Sequence, residues 1–168
     1  AAAEKPDAIL FGMAQGTPTH FAGRRLEKAG GEVRFRMVAS GGGAKRRNDL
    51  VGEHVDVTPF SLSEYMGFEE SGVRAVAYLA AERHPELPEV PTARELGYEV
   101  VMPHVHYWWA PKSTPDAAVE KIADVLEAAM KTDYLRGKLA ETKTEPLFLR
   151  GAALEKHLVE REGEFQDI

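Results

Sequence analysis

Between Ala8 and Ala80 short apolar runs alternate with stretches of helical spacing, and few architectures accept that order. "AILFGM" (8–13) precedes a helix predicted over Thr19–Ala29; "VRFRMV" (33–38) precedes one over Gly42–Gly52; "VDVTPF" (55–60) precedes one over Leu62–Glu70; "VRAVAYLA" (73–80) closes the series. Strands alternating with helices imply βαβ units, a largely parallel sheet flanked by helices, and right-handed crossovers. The fold class read from this order is α/β. With 168 residues, 43% hydrophobic and 29% charged, the chain can bury a core, so disorder is not expected.

The second part has a different texture. Residues 81–91, "AERHPELPEVP", contain three prolines and read as an irregular connection, followed by a short helix in "TARELG" that stops at Gly97. Beyond "VVMPHVHYWWAPKSTP", the residues Val119, Ile122, Leu126 and Ala129 or Met130 recur on one helical face from Asp116 to Lys131, with Thr114 as cap and Pro115 in the first turn. Leu154, Leu158, Phe165 and Ile168 predict a final amphipathic helix.

In a parallel sheet the strand-to-helix turns share one edge, at the carboxyl ends of the strands, and that edge is where open α/β folds hold ligands. Three such turns carry helix-start chemistry. After Gly16, the Thr17 hydroxyl is placed to cap and Pro18 to take the first helical position, leaving the amides of Thr19, His20 and Phe21 at the helix mouth. Ser40 before Gly41, Gly42 and Gly43 makes an open turn that admits a ligand close to the main chain. Thr58, Pro59 and Phe60 lead into Ser61, whose spacing to Glu64 is that of a capping box. Each cap alone is ordinary structural punctuation. Together they describe an anion site built from backbone N–H groups and helix dipoles.

Other features are read as structural. The net charge of −6 argues against a nucleic-acid partner, and no apolar run reaches the length of a membrane span. His20 has no nearby carboxylate or second histidine, and His104 and His106 are expected on one face of a half-exposed strand without a third ligand, so no metal and no other cofactor is expected. Lys45, Arg46 and Arg47 follow three glycines but lack the G-x-x-x-x-G-K-[ST] spacing, and are read as a solvated helix face. Adjacent Trp108 and Trp109 are expected to point to opposite sides, one into a core and the other toward a cleft or a further lobe. No nucleophile and base stand at a meaningful spacing; an enzyme domain that holds a phosphorylated substrate or nucleotide over the same helix mouths is the alternative reading.

The segments "GTPTHFAGRRLEKAGGEVRFRMV", "GGGAKRRNDLVGEHVDV", "GVRAVAYLAAERHPELPEVPTARELGYEV" and "WAPKSTPDAAVEKI", in that order, resemble the substrate-binding proteins of tripartite tricarboxylate transporters, also called Bug proteins. "ERHPELPEVPTARELGYEV" is the most specific piece. The resemblance implies a type II periplasmic-binding-protein-like fold and a non-enzymatic periplasmic receptor. Such a receptor closes two α/β lobes over a small carboxylate and delivers it to a membrane permease. Its ligands would be di- or tricarboxylates, amino acids, nicotinate-like compounds or aromatic acids. Carried over by position, the family's binding turns fall on Gly16, Thr17, Thr19 and His20, on Ser40, Gly41 and Gly42, and on Thr58, Pro59, Phe60 and Ser61.

The resemblance also implies an organisation: residues 5–103 as the second, ligand-binding lobe, and residues 104–168 as a crossover strand and C-terminal helices that in the family pack on the first lobe. That first lobe has no counterpart here, nor has a signal peptide, so self-association through the region of the absent lobe is expected. The chain also departs from the family in "VAS" (38–40), where many members have an aromatic residue and a lysine before the glycines.

Overall fold

The computed structural model describes residues 3–166 and divides the chain into two compact units, one running to His104 and the other starting at Val105. In the first, β1 (Leu10–Met13) and β2 (Arg36–Ala39) pair in parallel, with Leu10 opposite Arg36 and Met13 opposite Ala39. Helix α1 (Pro18–Ala29) is the crossover between them, and α2 (Gly43–Val51) follows β2. The third predicted strand is reduced to a single parallel bridge, Phe11 to Val57, held by Gly12 N–H on the Val57 carbonyl (2.8 Å) and Val57 N–H on the Leu10 carbonyl (3.2 Å). Pro59 has no N–H to give a ladder, so pairing stops where the chain turns away.

β1 is buried along Phe11–Met13, whereas β2 is only half-covered at Met37 and Val38. Phe11, Met13, Ala22 and Val55 are buried between β1 and its neighbours, and the Phe11 and Phe35 rings stack at 5.1 Å. Gly23 is where α1 meets this layer: a Cβ there would lie 2.8 Å from the Met37 methyl and 2.9 Å from the Phe11 ring. Glu27, also buried, accepts the Phe35 N–H at 2.7 Å and pairs with Arg24 at 2.8 Å, which ties the end of α1 to the approach of β2.

Several expectations are corrected. Residues 73–80 form no strand and contribute one bridge, Tyr78 to Thr92. The helix predicted to Glu70 is α3 (Leu62–Met66) followed by a separate 3-10 turn, Glu69–Ser71. "TARELG" is a strapped turn, not a helix. Thr92 and Glu95 bond reciprocally, Thr92 N–H to the Glu95 carboxylate at 2.7 Å and Glu95 N–H to the Thr92 hydroxyl at 3.1 Å, and Gly97 leaves the turn at φ 87°. Arg83 then donates to both Glu95 oxygens and to the Pro88 carbonyl. Residues 82–100 are therefore a brace, with their own Leu87, Val90, Ala93 and Val100 buried. Helix propensity lost because proline-rich chain on one side and Gly97 on the other leave too few residues to repay nucleation.

The second unit holds α4 (Asp116–Met130), α5 (Asp133–Glu141), which the periodicity did not reveal, and α6 (Gly151–Gln166). The start of α4 is shifted by one residue, with Pro115 at the N-cap and no side-chain cap from Thr114. Arg150, just before α6, reaches Asp124 (2.7 Å), Glu127 (3.2 Å) and Glu120 along one edge of α4. No strand forms at His104 or His106, and the Tyr107 hydroxyl meets the His157 imidazole at 3.0 Å. Trp108 and Trp109 are both 77% exposed, so neither enters a core. Leu154, Leu158 and Phe165 lie on α6, whereas Ile168 lies outside the described residues.

Gly23→Val is expected to lower stability by about 1–3 kcal/mol through overpacking against Met37 and Phe11, because valine gains little helix propensity over glycine; urea unfolding measures it. The Arg83 hydrogen bond, then the Thr92 amide, holds the Glu95 carboxyl below the usual glutamate range. A depressed folded pKa stabilises at neutral pH and is lost as the pH falls through it. Glu95→Gln should therefore melt below the wild type at about pH 7, with the gap closing toward about pH 3.

Candidate functional site

The parallel pairing places the ends of β1 and β2 side by side, and the turns that follow are bonded to one another. The Met13 carbonyl accepts both Ser40 N–H (2.9 Å) and Gly41 N–H (3.3 Å), joining the second turn to the first strand. The Thr58 hydroxyl donates to the Gly12 carbonyl at 2.8 Å, joining the third. Gly12 lies between them: a Cβ there would be 3.3 Å from both the Ser40 hydroxyl and Thr58 Cβ, and 3.2 Å from Val55. All three segments singled out in the sequence thus meet at one edge.

Their internal chemistry differs from simple capping. Thr17 occupies the N-cap position of α1 but its hydroxyl does not cap; it donates to the Ala14 carbonyl and meets the Thr19 hydroxyl, both at 2.8 Å. The Thr19 hydroxyl in turn accepts Ala14 N–H at 2.9 Å, and His20 Nδ1 accepts Gly16 N–H at 3.4 Å. Gly16 has φ 70°, a left-handed conformation that suits glycine. The amides of His20 and Phe21, expected at the mouth, donate to the Thr17 carbonyl instead. The Thr19 N–H keeps no protein partner among the described residues.

At the second turn Gly41 has φ 83° and Gly42 is the N-cap of α2, with φ −68° and ψ 167°. The Gly41 amide is used by Met13, so the donors without a protein partner among the described residues are those of Gly42, Gly43, Ala44 and Lys45. At the third turn the predicted capping box forms: Glu64 N–H on the Ser61 hydroxyl at 3.2 Å, Ser61 N–H on the Glu64 carboxylate at 3.0 Å. Glu64 therefore consumes the Ser61 amide. Its carboxylate also lies over Gly43, where a Cβ would be 1.9 Å from Oε1, so a side chain of the protein partly covers the mouth of α2.

Arg46 is the main correction to the sequence reading. It is not on a solvated face but 5% exposed. Its Nη1 donates to the Gly41 carbonyl at 2.7 Å, its Nη2 lies 3.6 Å from the Glu64 carboxylate, and its guanidinium carbon is 5.5 Å from the centre of the Phe60 ring. Arg47 lies in the same way over Phe68, whose ring meets Phe60 edge-on at 5.3 Å. No local signal marks it, since Phe60 and Glu64, which close over it, lie 14 and 18 positions further along the chain. Lys45 alone behaves as expected, exposed and paired with Asp49 at 2.7 Å. That bond, with the Lys45 charge, holds the Asp49 carboxyl below the usual range.

Among the described residues no three histidine, aspartate or glutamate side chains cluster as metal ligands, and no helix is long and apolar enough to cross a membrane. What the edge offers is a set of backbone donors at two helix starts, threonine and serine hydroxyls, and the buried Arg46, partnered through Nη1 and Nη2 but not through Nε.

The architecture is a periplasmic-binding-protein-like α/β lobe followed by helices. The structure named as periplasmic binding protein BugD superposes with a TM-score of 0.75 at 28% identity, over 99% of this chain and 56% of that one. A structure described as R. palustris Rpa4515 with adipate shares the fold at TM-score 0.74 and 24% identity, over 99% of this chain and 55% of that one. Residues 1–164 match the family described as tripartite tricarboxylate transporter family receptor (TctC), and the chain belongs to that family. Relatives include the UPF0065 protein in the tcbD-tcbE intergenic region of Pseudomonas sp. (strain P51), 34% identical over 80% of this chain, and a UPF0065 protein of Agrobacterium vitis, 29% identical over 83%. The chain spans 41% of the length of each of these two relatives. The family is one of receptors, and the structural neighbours are binding proteins rather than enzymes.

Proposed function

We propose that this chain is the ligand-binding portion of a periplasmic receptor that takes a small carboxylate at the edge formed by residues 14–20, 40–44 and 58–61 and passes it to the membrane subunits of a tripartite tricarboxylate transporter. The observation that carries this reading is the convergence of unpartnered backbone donors, Thr19 N–H at the start of α1 and Gly42, Gly43 and Ala44 N–H at the start of α2, beside the Thr58 and Ser61 hydroxyls. Helix N-termini attract anions through these N–H groups and the aligned peptide dipoles, with no metal needed. The family and the adipate carried by one neighbour are further support for a dicarboxylate. Gly16, Thr17 and His20 act in this reading by shaping the first turn, Ser40 and Gly41 by joining the second to β1, and Pro59 and Phe60 by forming the wall beside it.

The proposed organisation follows the resemblance: residues 5–103 hold the ligand, while residues 104–168 carry surface meant for a further lobe. In support, Trp108, Trp109, Val119, Ile122 and Val125 are exposed, an apolar set of the kind that becomes an interface.

A thermal-shift screen of the 168-residue chain against succinate, glutarate, adipate, citrate, nucleotides and sugar phosphates is expected to raise the melting temperature with carboxylates only. Stabilisation by nucleotides or sugar phosphates alone would reject the reading. The backbone mechanism is tested at Gly42, whose φ of −68° and open surroundings accept either alanine or proline. Gly42→Pro, which removes the donor, should weaken binding about tenfold more than Gly42→Ala in calorimetry; equal losses would exclude it. Light scattering at rising concentration should show self-association of the wild-type chain, reduced in Trp108→Ser/Trp109→Ser.

A further inference from the structure

We infer that Arg46 is a positioning residue for this carboxylate site: its buried guanidinium fixes the turn 40–44 to the turn 58–64, and so sets the ligand length the edge accepts. The inference rests on the proposed binding function but adds a determinant of specificity within it. Three contacts carry it. On one side Arg46 holds the Gly41 carbonyl at 2.7 Å. On the other it lies 3.6 Å from the Glu64 carboxylate and stacks over Phe60 at 5.5 Å.

The reason this link matters is the way the third turn is anchored. Up to Thr58 the chain is tied to β1, by Val57 to Leu10 and Gly12 and by the Thr58 hydroxyl to Gly12. From Pro59 to Ser61 no backbone hydrogen bond to the sheet exists among the described residues; the Ser61 N–H goes to Glu64, within its own turn. The position of Phe60 and Ser61 relative to the amides of Gly42–Ala44 is therefore left to what crosses from α2. The contacts that cross are Arg46 on Phe60 and Glu64, Glu64 on Gly43, and Arg47 on Phe68, whose ring meets Phe60; of these residues Arg46 also holds the Gly41 carbonyl. Gly43 leaves room for this contact, because a Cβ there would lie 1.9 Å from Glu64 Oε1 and the carboxylate would have to shift.

A buried cation suits this role because its geometry is strict. At 5% exposure the guanidinium does not readily exchange its partners for water, so moving the first of these turns breaks its charge-assisted bond to the Gly41 carbonyl and moving the other draws the half-buried Glu64 carboxylate away from it. Arginine also offers a planar fork that bonds in two directions and a face that stacks on an aromatic ring, which lysine cannot do together. Binding that needs both turns at once is then sensitive to their spacing, and ligands of different length sense a change differently.

The test uses the full 168-residue chain with Arg46→Met, Arg46→Lys and Glu64→Gln. Without ligand, amide resonances of Gly41–Ala44 and of Phe60–Ser61 are expected to move together in Arg46→Met while those of Leu10–Met13 stay in place. Movement confined to Gly41–Ala44 would overturn the tether. In calorimetry with succinate and adipate, Arg46→Met should weaken both about tenfold and change the ratio of their affinities by at least about threefold, with Arg46→Lys restoring part of the affinity but not the ratio. An equal loss for both acids would mean that Arg46 serves folding only, and would overturn the specificity role. If Arg46→Met does not fold, Glu64→Gln is read in its place, with the same direction expected and an unchanged ratio counting against the inference. Failure of the wild-type chain to bind either acid would reject the carboxylate reading and with it the specificity role, while the resonance arm would still decide the tether.

Discussion

The parallel pairing of Leu10–Met13 with Arg36–Ala39 is the constraint from which the rest of the first unit follows. A parallel pair needs a crossover, α1 supplies it, and the parallel register brings the end of β2 beside the end of β1. The Met13 carbonyl then serves two amides of the next turn, so the strand's last acceptor is also the first element of the edge. Gly12 permits this by its size. Val55, the Ser40 hydroxyl and Thr58 all approach the space its side chain would take.

The sheet is narrow for the amount of chain it organises, and polar side chains complete what backbone ladders begin. Glu27 receives the Phe35 amide, Glu95 receives the Thr92 amide, and Glu64 receives the Ser61 amide. In each case a carboxylate accepts a main-chain N–H that a longer helix or strand would have used, and an arginine, Arg24, Arg83 or Arg46, neutralises the charge. Charged hydrogen bonds are stronger than neutral ones, so irregular segments can be held by few of them. The same device in a brace and at the candidate site explains why charge pairs recur in this fold without implying catalysis.

At the edge itself the chain leaves some donors unpaired and occupies others. The first turn directs the amides of His20 and Phe21 inward to Thr17, and the third closes on Glu64, which leaves the start of α2 as the richest set of available N–H groups. Three consecutive glycines, Gly41 with positive φ, keep that backbone bare. Glu64 lying over Gly43 means that a ligand carboxylate would meet a negative neighbour as well as the helix dipole, and Arg46 beneath offsets that charge.

Sequence alone determined the α/β order, the ends of α1, α2 and α4 to within a residue or so, the capping box at Ser61 and the set of turns that meet at the strand ends. These are local matters of apolar spacing, glycine, proline and cap chemistry, which the chain states wherever it is placed. Tertiary structure decided the rest. Whether residues 55–60 and 73–80 became strands depended on pairing, and each kept a single bridge, Val57 to Phe11 and Tyr78 to Thr92. "TARELG" became a brace because Arg83 and Glu95, twelve positions apart, meet only in the folded chain. Arg46 reads as one of three basic residues on a polar helix, and nothing in its immediate neighbours says that Phe60 and Glu64 will close over it. Burial of a charge is settled by what packs against it from elsewhere in the chain, and that information is not local.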